Sequence, residues 1–553
     1  MSEPPSTQAW LSAHGIPEAI STAIKQVLSE RPPDPVAAVG RALLAQQRQP
    51  DARAGGPDDK SARVERDYAA GVRYIFDNAD FSGLAKRYQN PQANWERFEE
   101  MLKLLGQPMR KLKVVHIAGT NGKGTTSALC DAMLRASTTG RVGLFTSPHL
   151  HCFRERIRID GQLTTKAEIV EALDVVRPVA EAVGGASPFE KLTALALVCF
   201  VRAGCEWAVL ETGLGGRWDC TNHAKPLVCG VTRIGYDHMN VLGGTIAKIA
   251  GEKAGILKKG VPAFCVPQEA DALAVLQRTA REQGAPLALV DASADAPADG
   301  GGAASTARRP RAAPFWLTPV HQAHNAAMAL AMLHSLYERG HLAGMAPASC
   351  AAAAARARWL DARDATSWPC RFEVLRPSTL LPSGAPLVLD VAHNEPAVEA
   401  LVRSAAAAWR DAPCVVIFGA NFDKDVAKCV RLLCAHPRLV GAVAVQSSHP
   451  KAVPTDQILR EAAGASASAP PPAGKAATVA WQAAASMAEA VERAAAILRA
   501  APRGPPLGAG ASGVVLCCGS VFVAADMREA LAERQPDVFA SGDWVFARES
   551  VWG

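Results

Sequence analysis

Several features are missing from this 553-residue chain. No apolar run approaches the ~20 residues that a membrane-spanning helix requires, so no membrane role is expected. No lysine- or arginine-rich run stands beside aromatic residues, and a net charge of +6 is small at this length. Nucleic acid is therefore not an expected partner, and the mild positive excess suits an anionic small molecule. The 14 cysteines never occur as C-x-x-C and fall mostly in apolar stretches such as "LVCF", "LVCG" and "VLCCG". That is the pattern of buried reduced thiols, not of a disulfide framework or a zinc site. The opening "MSEPPSTQAWLSAHGIPEAIS" has neither a basic segment followed by an apolar core nor an arginine-rich transit pattern. Cytoplasm is the expected location, with a mitochondrial pool left open. No repeat of fixed period is present.

What is there is a chain that is 49% hydrophobic and 20% charged, long enough for two or three domains with sizeable cores. Residues 1–65 read as an extension, partly disordered, with a helical piece in "PEAISTAIKQVLSE" and loop-like "RPPDP" and "DARAGGPDDKSAR". Residues 66–112 are helical and amphipathic in pattern. From "KVVHIAG" onward, short apolar runs ("RVGLFTSP", "WAVLETG", "LVCGVTRIG", "VPAFCV") alternate with helical stretches such as "TIAKIAGEKAGILK". This alternation predicts an α/β fold, with a mostly parallel sheet covered on both faces. The first domain is expected over 66–363, interrupted by a flexible low-complexity insertion at 292–313. A hinge linker is expected at 364–370, "DATSWPC". A smaller α/β domain follows over 371–553, with strands in "RFEVL", "PLVLDVAHN", "CVVIFGAN", "GAVAVQSS", "TVAWQ" and "GVVLCCGS" and a loop at 465–477.

The informative loop is Gly119-Thr120-Asn121-Gly122-Lys123-Gly124-Thr125, followed by Thr126, between an apolar run and a helical pattern. Glycines let the backbone approach an anion without a Cβ clash. Amides at a helix start point at phosphate oxygens, and the helix dipole favours negative charge there. Lys123 adds a mobile cation, and the Thr125 and Thr126 hydroxyls suit phosphate oxygens or magnesium. The spacing differs from the Walker A pattern, with two residues between the first glycines and Gly124 after the lysine. Glu211, at the C-terminal end of "WAVLE", is a carboxylate at a position where burial is expensive unless something binds it. Read singly, other residues are less pointed. Ser147 before Pro148 fits a turn, His238 a loop cap, Lys253 a solvent-facing helix position, Asp219 an Asx turn and Asn325 a helix cap or near-cap position.

As an ordered set the motifs are far more specific. "GTNGKGTT", "FTSPHL", "ERIRIDG", "ETGLGGRWDCTN", "IGYDHMNVLGGTIAKIAGEKAGILKKGVP", "HQAHNAA", "RFEVL", "LDVAHN", "FGANFDKD" and "CGS" resemble the folylpolyglutamate synthase and dihydrofolate synthase family of the Mur ligase superfamily. The resemblance runs from about residue 66 to the C-terminus. It implies a P-loop-type ATPase domain followed by a Rossmann-like ligase domain, with ATP and Mg2+ required and two metal sites. It also implies folate and L-glutamate as small-molecule substrates joined through an acyl phosphate, by a chain acting as a monomer. A monovalent cation is a further candidate ligand.

By the same resemblance Ser147, Glu211, His238 and Lys253 hold metal, Lys253 as a carbamate. Lys123, His238 and Lys253 are catalytic. The P-loop residues with Asn325, Arg371 and Asp390 bind ATP, while Arg217, Asp219, His393, Asp423 and Lys424 serve the substrates. For Asp423 and Lys424 a solvated loop is the competing reading. Cys370 stands where the family often has glycine, which points to a different hinge conformation. "DCTN" and "KPLVCG" are similar to eukaryotic folylpolyglutamate synthases, "GTNGKG" and "EKAGI" to bacterial enzymes that also make dihydrofolate. The alternatives are therefore dihydrofolate synthase, alone or combined. A cell-wall ligase would need strand alternation ahead of the P-loop, which residues 1–112 lack. A non-catalytic nucleotide-binding module would be expected to have lost the metal and lysine positions.

Overall fold

Each apolar run read above as a strand forms one, and their order in two sheets explains where polar side chains gather. The structure is a computed structural model that describes residues 57–76, 90–292, 317–342, 358–382, 384–467, 479–501 and 513–549. The helical piece expected within 17–30, most of the 1–65 extension, nearly all of the 292–313 insertion and most of the 465–477 loop lie outside the described residues. The chain divides into two units, Met1–Arg66 and Asp67–Gly553. Of the first, only its helical last residues are described. Residues from Pro57, expected as loop, open the helix Pro57–Phe76. Proline is well placed at a first helical position, because its missing N–H has no partner there in any case, and no glycine follows until Gly71.

The second unit holds both sheets. The first contains β1 (Lys113–Ala118), β2 (Arg141–Phe145), β3 (Ile157–Ile159), β4 (Gln162–Leu163), β5 (Cys205–Glu211), β6 (Pro226–Val231), β7 (Ala263–Cys265) and β8 (Leu287–Leu289). Their spatial order is β4-β3-β2-β5-β1-β6-β7-β8. Six strands run parallel, while β3 pairs antiparallel with β2 and β4. The β3–β4 hairpin was not anticipated from the apolar pattern. It turns on Asp160 (φ 52°) and Gly161 (φ 79°), the two left-handed residues of a tight hairpin turn.

The second sheet contains β9 (Glu373–Leu375), β10 (Leu387–Leu389), β11 (Cys414–Phe418), β12 (Leu439–Ala444), β13 (Trp481–Ala483) and β14 (Val514–Cys518). Their order is β13-β12-β11-β14-β10-β9, parallel except for the β9 edge.

Both sheets are covered on both faces. On the first, Leu129, Met133 and Leu134 of the helix Lys123–Arg135 pack with Met328, Met332 and Leu336 of the helix Val320–Glu338 against Val115, Ile117 and Val209. The opposite face meets the helices Pro91–Leu104, Lys166–Val183 and Pro188–Arg202 around Phe145, Phe200 and Leu210. Each such side chain contributes about 1.5–3 kcal/mol on burial. In parallel sheets of this kind, ligands gather at the C-terminal strand ends. In this chain the ends of β1, β5 and β10 carry Gly119, Glu211 and Asp390. Among the described residues no helix is long and apolar enough to cross a membrane.

Candidate active site

The turn after β1 is built so that only glycine fits its two sharpest points. Gly119 has φ 148° and Gly122 φ 96°. A Cβ on Gly119 would stand 1.8 Å from Thr232 Oγ1, and one on Gly122 would stand 2.6 Å from Asn325 Oδ1. The amides of Thr120 and Asn121 donate to the Arg233 carbonyl at 2.9 and 3.2 Å. The helix then begins at Lys123, whose ammonium donates to the Thr120 carbonyl at 3.2 Å. The hydroxyls of Thr125, Thr126 and Ser127 are buried with no hydrogen-bond partner. Buried polar groups are seldom left so, and three together at a helix start fit an anion or its cation.

Glu211 closes β5 beside this turn. Its Oε2 accepts the Ser147 amide at 3.1 Å. Burial pushes its carboxyl up, opposed by Lys123, the Ser147 amide, Arg371 and Arg156. A buried carboxylate facing cations fits a divalent metal in contact with phosphate. The loop carrying Ser147 is held by Glu155, the first residue of "ERIRIDG". The Glu155 carboxylate accepts the amides of Leu150, His151 and Cys152 at 2.8, 2.7 and 2.9 Å.

Lys253 is not solvent-facing, as its helical pattern alone would allow. It is 4% exposed and donates to the Gly119 carbonyl at 2.7 Å. Burial first, then the neighbouring Lys123 charge, push its ammonium down to about 7. An amine that is often neutral at physiological pH can react with carbon dioxide. His238 sits in a left-handed conformation (φ 49°) ahead of the short helix Met239–Leu242, within electrostatic reach of Lys123 and Lys253. Lys123 thus lies within electrostatic reach of Glu211, His238 and Lys253. Among the described residues no three His, Cys, Asp or Glu side chains cluster as a self-sufficient metal site. Any metal here would need ligands beyond these types, such as the Ser147 hydroxyl or phosphate oxygens.

The second sheet supplies the opposite wall. A small cavity is lined by Gly124, Ser147, Glu211, Trp368, Arg371 and Trp544, among others. Arg371 lies between Cys370 (φ 56°) and Phe372 (φ 55°). Cys370 therefore adopts the left-handed backbone that glycine favours. Such a conformation costs a non-glycine residue about 1–2 kcal/mol. Asp390, expected at ATP, holds this segment, its two oxygens accepting the Phe372 and Ala392 amides at 2.7 and 2.8 Å.

The residues joining the walls centre on Asp237, which sequence reasoning passed over for its neighbour His238. Asp237 accepts from Lys424 at 2.9 Å and from Asn394 at 3.0 Å, with the His393 ring at 3.7 Å. Asn394 and Asn121 exchange two amide hydrogen bonds, at 3.0 and 3.1 Å. His393 and Lys424, expected at substrate, are thus engaged with the first sheet's loops, while Asp423 pairs with Lys424 at 3.2 Å. Burial raises the Asp237 carboxyl, but His393, His238 and Lys424 outweigh it and hold the group below the usual range. A depressed carboxyl contributes stability above its unfolded value, lost as pH falls through the folded one. Lys424 is raised by Asp237 and Asp423 against the effect of burial, so its share is lost only as pH rises past the ordinary lysine range. Asp237→Asn is accordingly expected to destabilise by about 2 kcal/mol near neutrality. The deficit should shrink below pH ~4, as read by denaturant titration at several pH values.

Among the other expected site residues, Asp219 and Arg217 have protein partners and Asn325 lies against the P-loop. Both Asp219 oxygens build their own loop, accepting the amides of Gly213, Leu214 and Thr221 at 2.9–3.0 Å and the Thr221 hydroxyl at 2.5 Å. Arg217 is half exposed, with its guanidinium on the Gly251 carbonyl at 3.1 Å and on Glu252 at 3.4 Å. Asn325 is not a cap. It lies inside the helix Val320–Glu338, 3% exposed, packed against Gly122 and bonded to Gln322 at 3.1 Å.

The domain family described as Mur ligase, glutamate ligase domain matches residues 370–521. The Bacillus subtilis dihydrofolate synthase/folylpolyglutamate synthase is 33% identical over 352 residues, 61% of this chain and 77% of the relative. The human mitochondrial folylpolyglutamate synthase is 35% identical over 392 residues, 64% of this chain and 63% of the relative. This chain thus spans a little under two thirds of the human protein. A crystal structure of the bifunctional Yersinia pestis folylpolyglutamate synthase/dihydrofolate synthase, complexed with AMPPNP and a Mn ion, superposes with a TM-score of 0.59 at 27% identity. It covers 79% of this chain and 93% of that one.

Proposed function

The chain belongs to the folylpolyglutamate synthase/dihydrofolate synthase family of the Mur ligase superfamily, and on that premise we propose that it is an ATP-dependent ligase. It joins L-glutamate to the γ-carboxyl of tetrahydrofolate (poly)glutamates, releasing ADP and phosphate. The observation that carries this reading is a single cavity on which the P-loop helix, the Glu211–Ser147 pair and Arg371 converge.

A carboxylate does not yield an amide directly, because oxide is a poor leaving group. Transfer of the γ-phosphoryl of ATP to the carboxylate gives an acyl phosphate, and attack by the glutamate amine then expels phosphate. Both steps place anionic oxygens between the walls of the cavity. The amides after Gly122 and the Lys123 ammonium neutralise the phosphoryl group from one side, and Arg371 does so from the other. Asn325 is placed to meet the nucleotide beside Gly122. Asp390 holds Arg371 in position through the Phe372 amide. Arg217 and the loop organised by Asp219 form the candidate folate side, and His393, Asp423 and Lys424 the candidate glutamate side.

Ser147 and Glu211 fit one divalent cation, and His238 with a carbamylated Lys253 fits a second. Magnesium would supply charge neutralisation on the phosphoryl oxygens and their alignment for in-line transfer. The unpartnered Thr125 and Thr126 hydroxyls are consistent with that filling. Every group named comes from one chain, so a monomer suffices.

The test is direct. Purified chain with ATP, magnesium, radiolabelled glutamate and tetrahydrofolate is expected to form longer-chain folates. A second arm supplies dihydropteroate, because the Bacillus subtilis relative carries both activities in its name. Product in that arm alone would replace the leading reading with dihydrofolate synthase. Product in neither, with ATP still bound, would leave a nucleotide-binding module.

A further inference from the structure

The C-terminal segment after the second sheet does not lie idle on its own lobe. Asp543 is paired with Arg528, which is fully buried on the helix Val521–Arg534. Six residues later Glu549 reaches the first lobe, accepting from the Tyr68 hydroxyl at 2.5 Å, the Arg154 guanidinium at 2.8 Å and the Phe153 amide at 3.2 Å. The Glu549 amide in turn donates to the His151 carbonyl at 3.0 Å. The segment is therefore tied at both ends, once on each lobe.

Between the ties sits Trp544. Its ring meets Trp368 edge to face at 5.6 Å. The Arg158 guanidinium lies 4.6 Å from the Trp368 ring and 4.8 Å from that of Trp544. Arg158 is buried, and its Nε and one terminal nitrogen have no hydrogen-bond partner, so the two rings share in holding its charge, together with the Asp131 and Glu155 carboxylates within electrostatic reach. Both indoles also line the cavity that holds Glu211, Ser147 and Arg371.

We propose that Trp544, strapped across the lobes by Asp543 and Glu549, is the wall that keeps bulk water from the acyl phosphate. This rests on the ligase reading above. Without the wall, a water oxygen bonds to the acyl carbon and the bond from that carbon to the bridging oxygen breaks. That electron pair leaves with phosphate. Carboxylate, hydrogen phosphate and one proton are released, so ATP is spent with no amide formed.

The experiment measures two products in one reaction of the full chain, phosphate released and glutamate ligated. Wild type should give a ratio near one. Trp544→Ala should lower ligation by about tenfold while phosphate release falls much less, so the ratio rises several-fold. Trp544→Phe, which retains a ring, should restore it toward one. Glu549→Gln loosens one tie without changing size and should show a smaller rise, which keeps the test available should Trp544→Ala not fold. Equal losses of phosphate and ligation, with the ratio held at one in Trp544→Ala and Glu549→Gln, would overturn the proposal and leave the strap a structural brace. If wild type itself ligates nothing, the ligase reading fails instead, and the two failures are told apart by that control.

Discussion

Glu211→Gln is expected to lower turnover about a thousandfold and, in the absence of divalent metal, to raise the melting temperature. The two effects share a cause. The carboxylate is buried among Lys123, Arg371 and Arg156, yet burial outweighs those charges and its carboxyl titrates above the ordinary range. A carboxyl raised in the folded state makes the fold bind protons more tightly than the unfolded chain does. Stability then falls as pH rises through that window. Glutamine removes this penalty and still offers an oxygen to the Ser147 amide, so the loop should keep its place. The gain in melting temperature over wild type should be present at pH 7 and close as pH falls toward the ordinary carboxyl range. Calorimetry in a chelator, beside a magnesium-dependent assay, reads both. A variant that melts lower at pH 7 would mean that Glu211 is a structural anchor.

Lys123→Met should be as damaging to turnover, again on the order of a thousandfold, but with a different signature. The left-handed glycines and the helix start remain, so the anion cradle made of backbone amides is intact. Nucleotide should still bind, with affinity reduced far less than kcat. The Lys123 side chain donates to the Thr120 carbonyl at 3.2 Å, and its charge favours ionised Glu211 but disfavours ionised Lys253, so the two effects oppose and folding should change little. Isothermal titration with ADP, set beside steady-state kinetics, separates the two quantities. Parallel loss of ADP affinity and kcat would mean that the lysine builds the cradle.

The reasons some of this was legible in the chain are physical. Strand alternation showed because a two-sided parallel sheet demands unbroken apolar runs, and the candidate phosphate loop showed because glycines, lysine and hydroxyls stand within a few positions. Glu211 stood out because a carboxylate ending an apolar run needs an explanation. Asp237, Glu155 and Trp544 did not stand out. Each is an ordinary residue whose role comes from a partner brought by the fold. Asp237 meets Lys424 across 187 positions, and Tyr68 meets Glu549 across 481. The β3–β4 hairpin escaped notice because its strands are three and two residues long, too short for a period to register. Asp219 and Asp390 show the converse. Their place in the motifs was plain, but the backbone amides that each carboxylate accepts are brought to it only by the fold.

The exchanged amides of Asn121 and Asn394 have a thermodynamic corollary. Asn121 belongs to the loop proposed to hold nucleotide, and Asn394 caps the helix Glu395–Ala408 of the other lobe. Any rearrangement of the loop on nucleotide arrival alters a bond that helps seat that lobe. Linkage then runs in both directions by the same factor: whatever nucleotide does to the seating equilibrium, seating does to nucleotide affinity. Because the pair is uncharged, that factor should be largely insensitive to ionic strength, unlike the Asp237–Lys424 contact beside it.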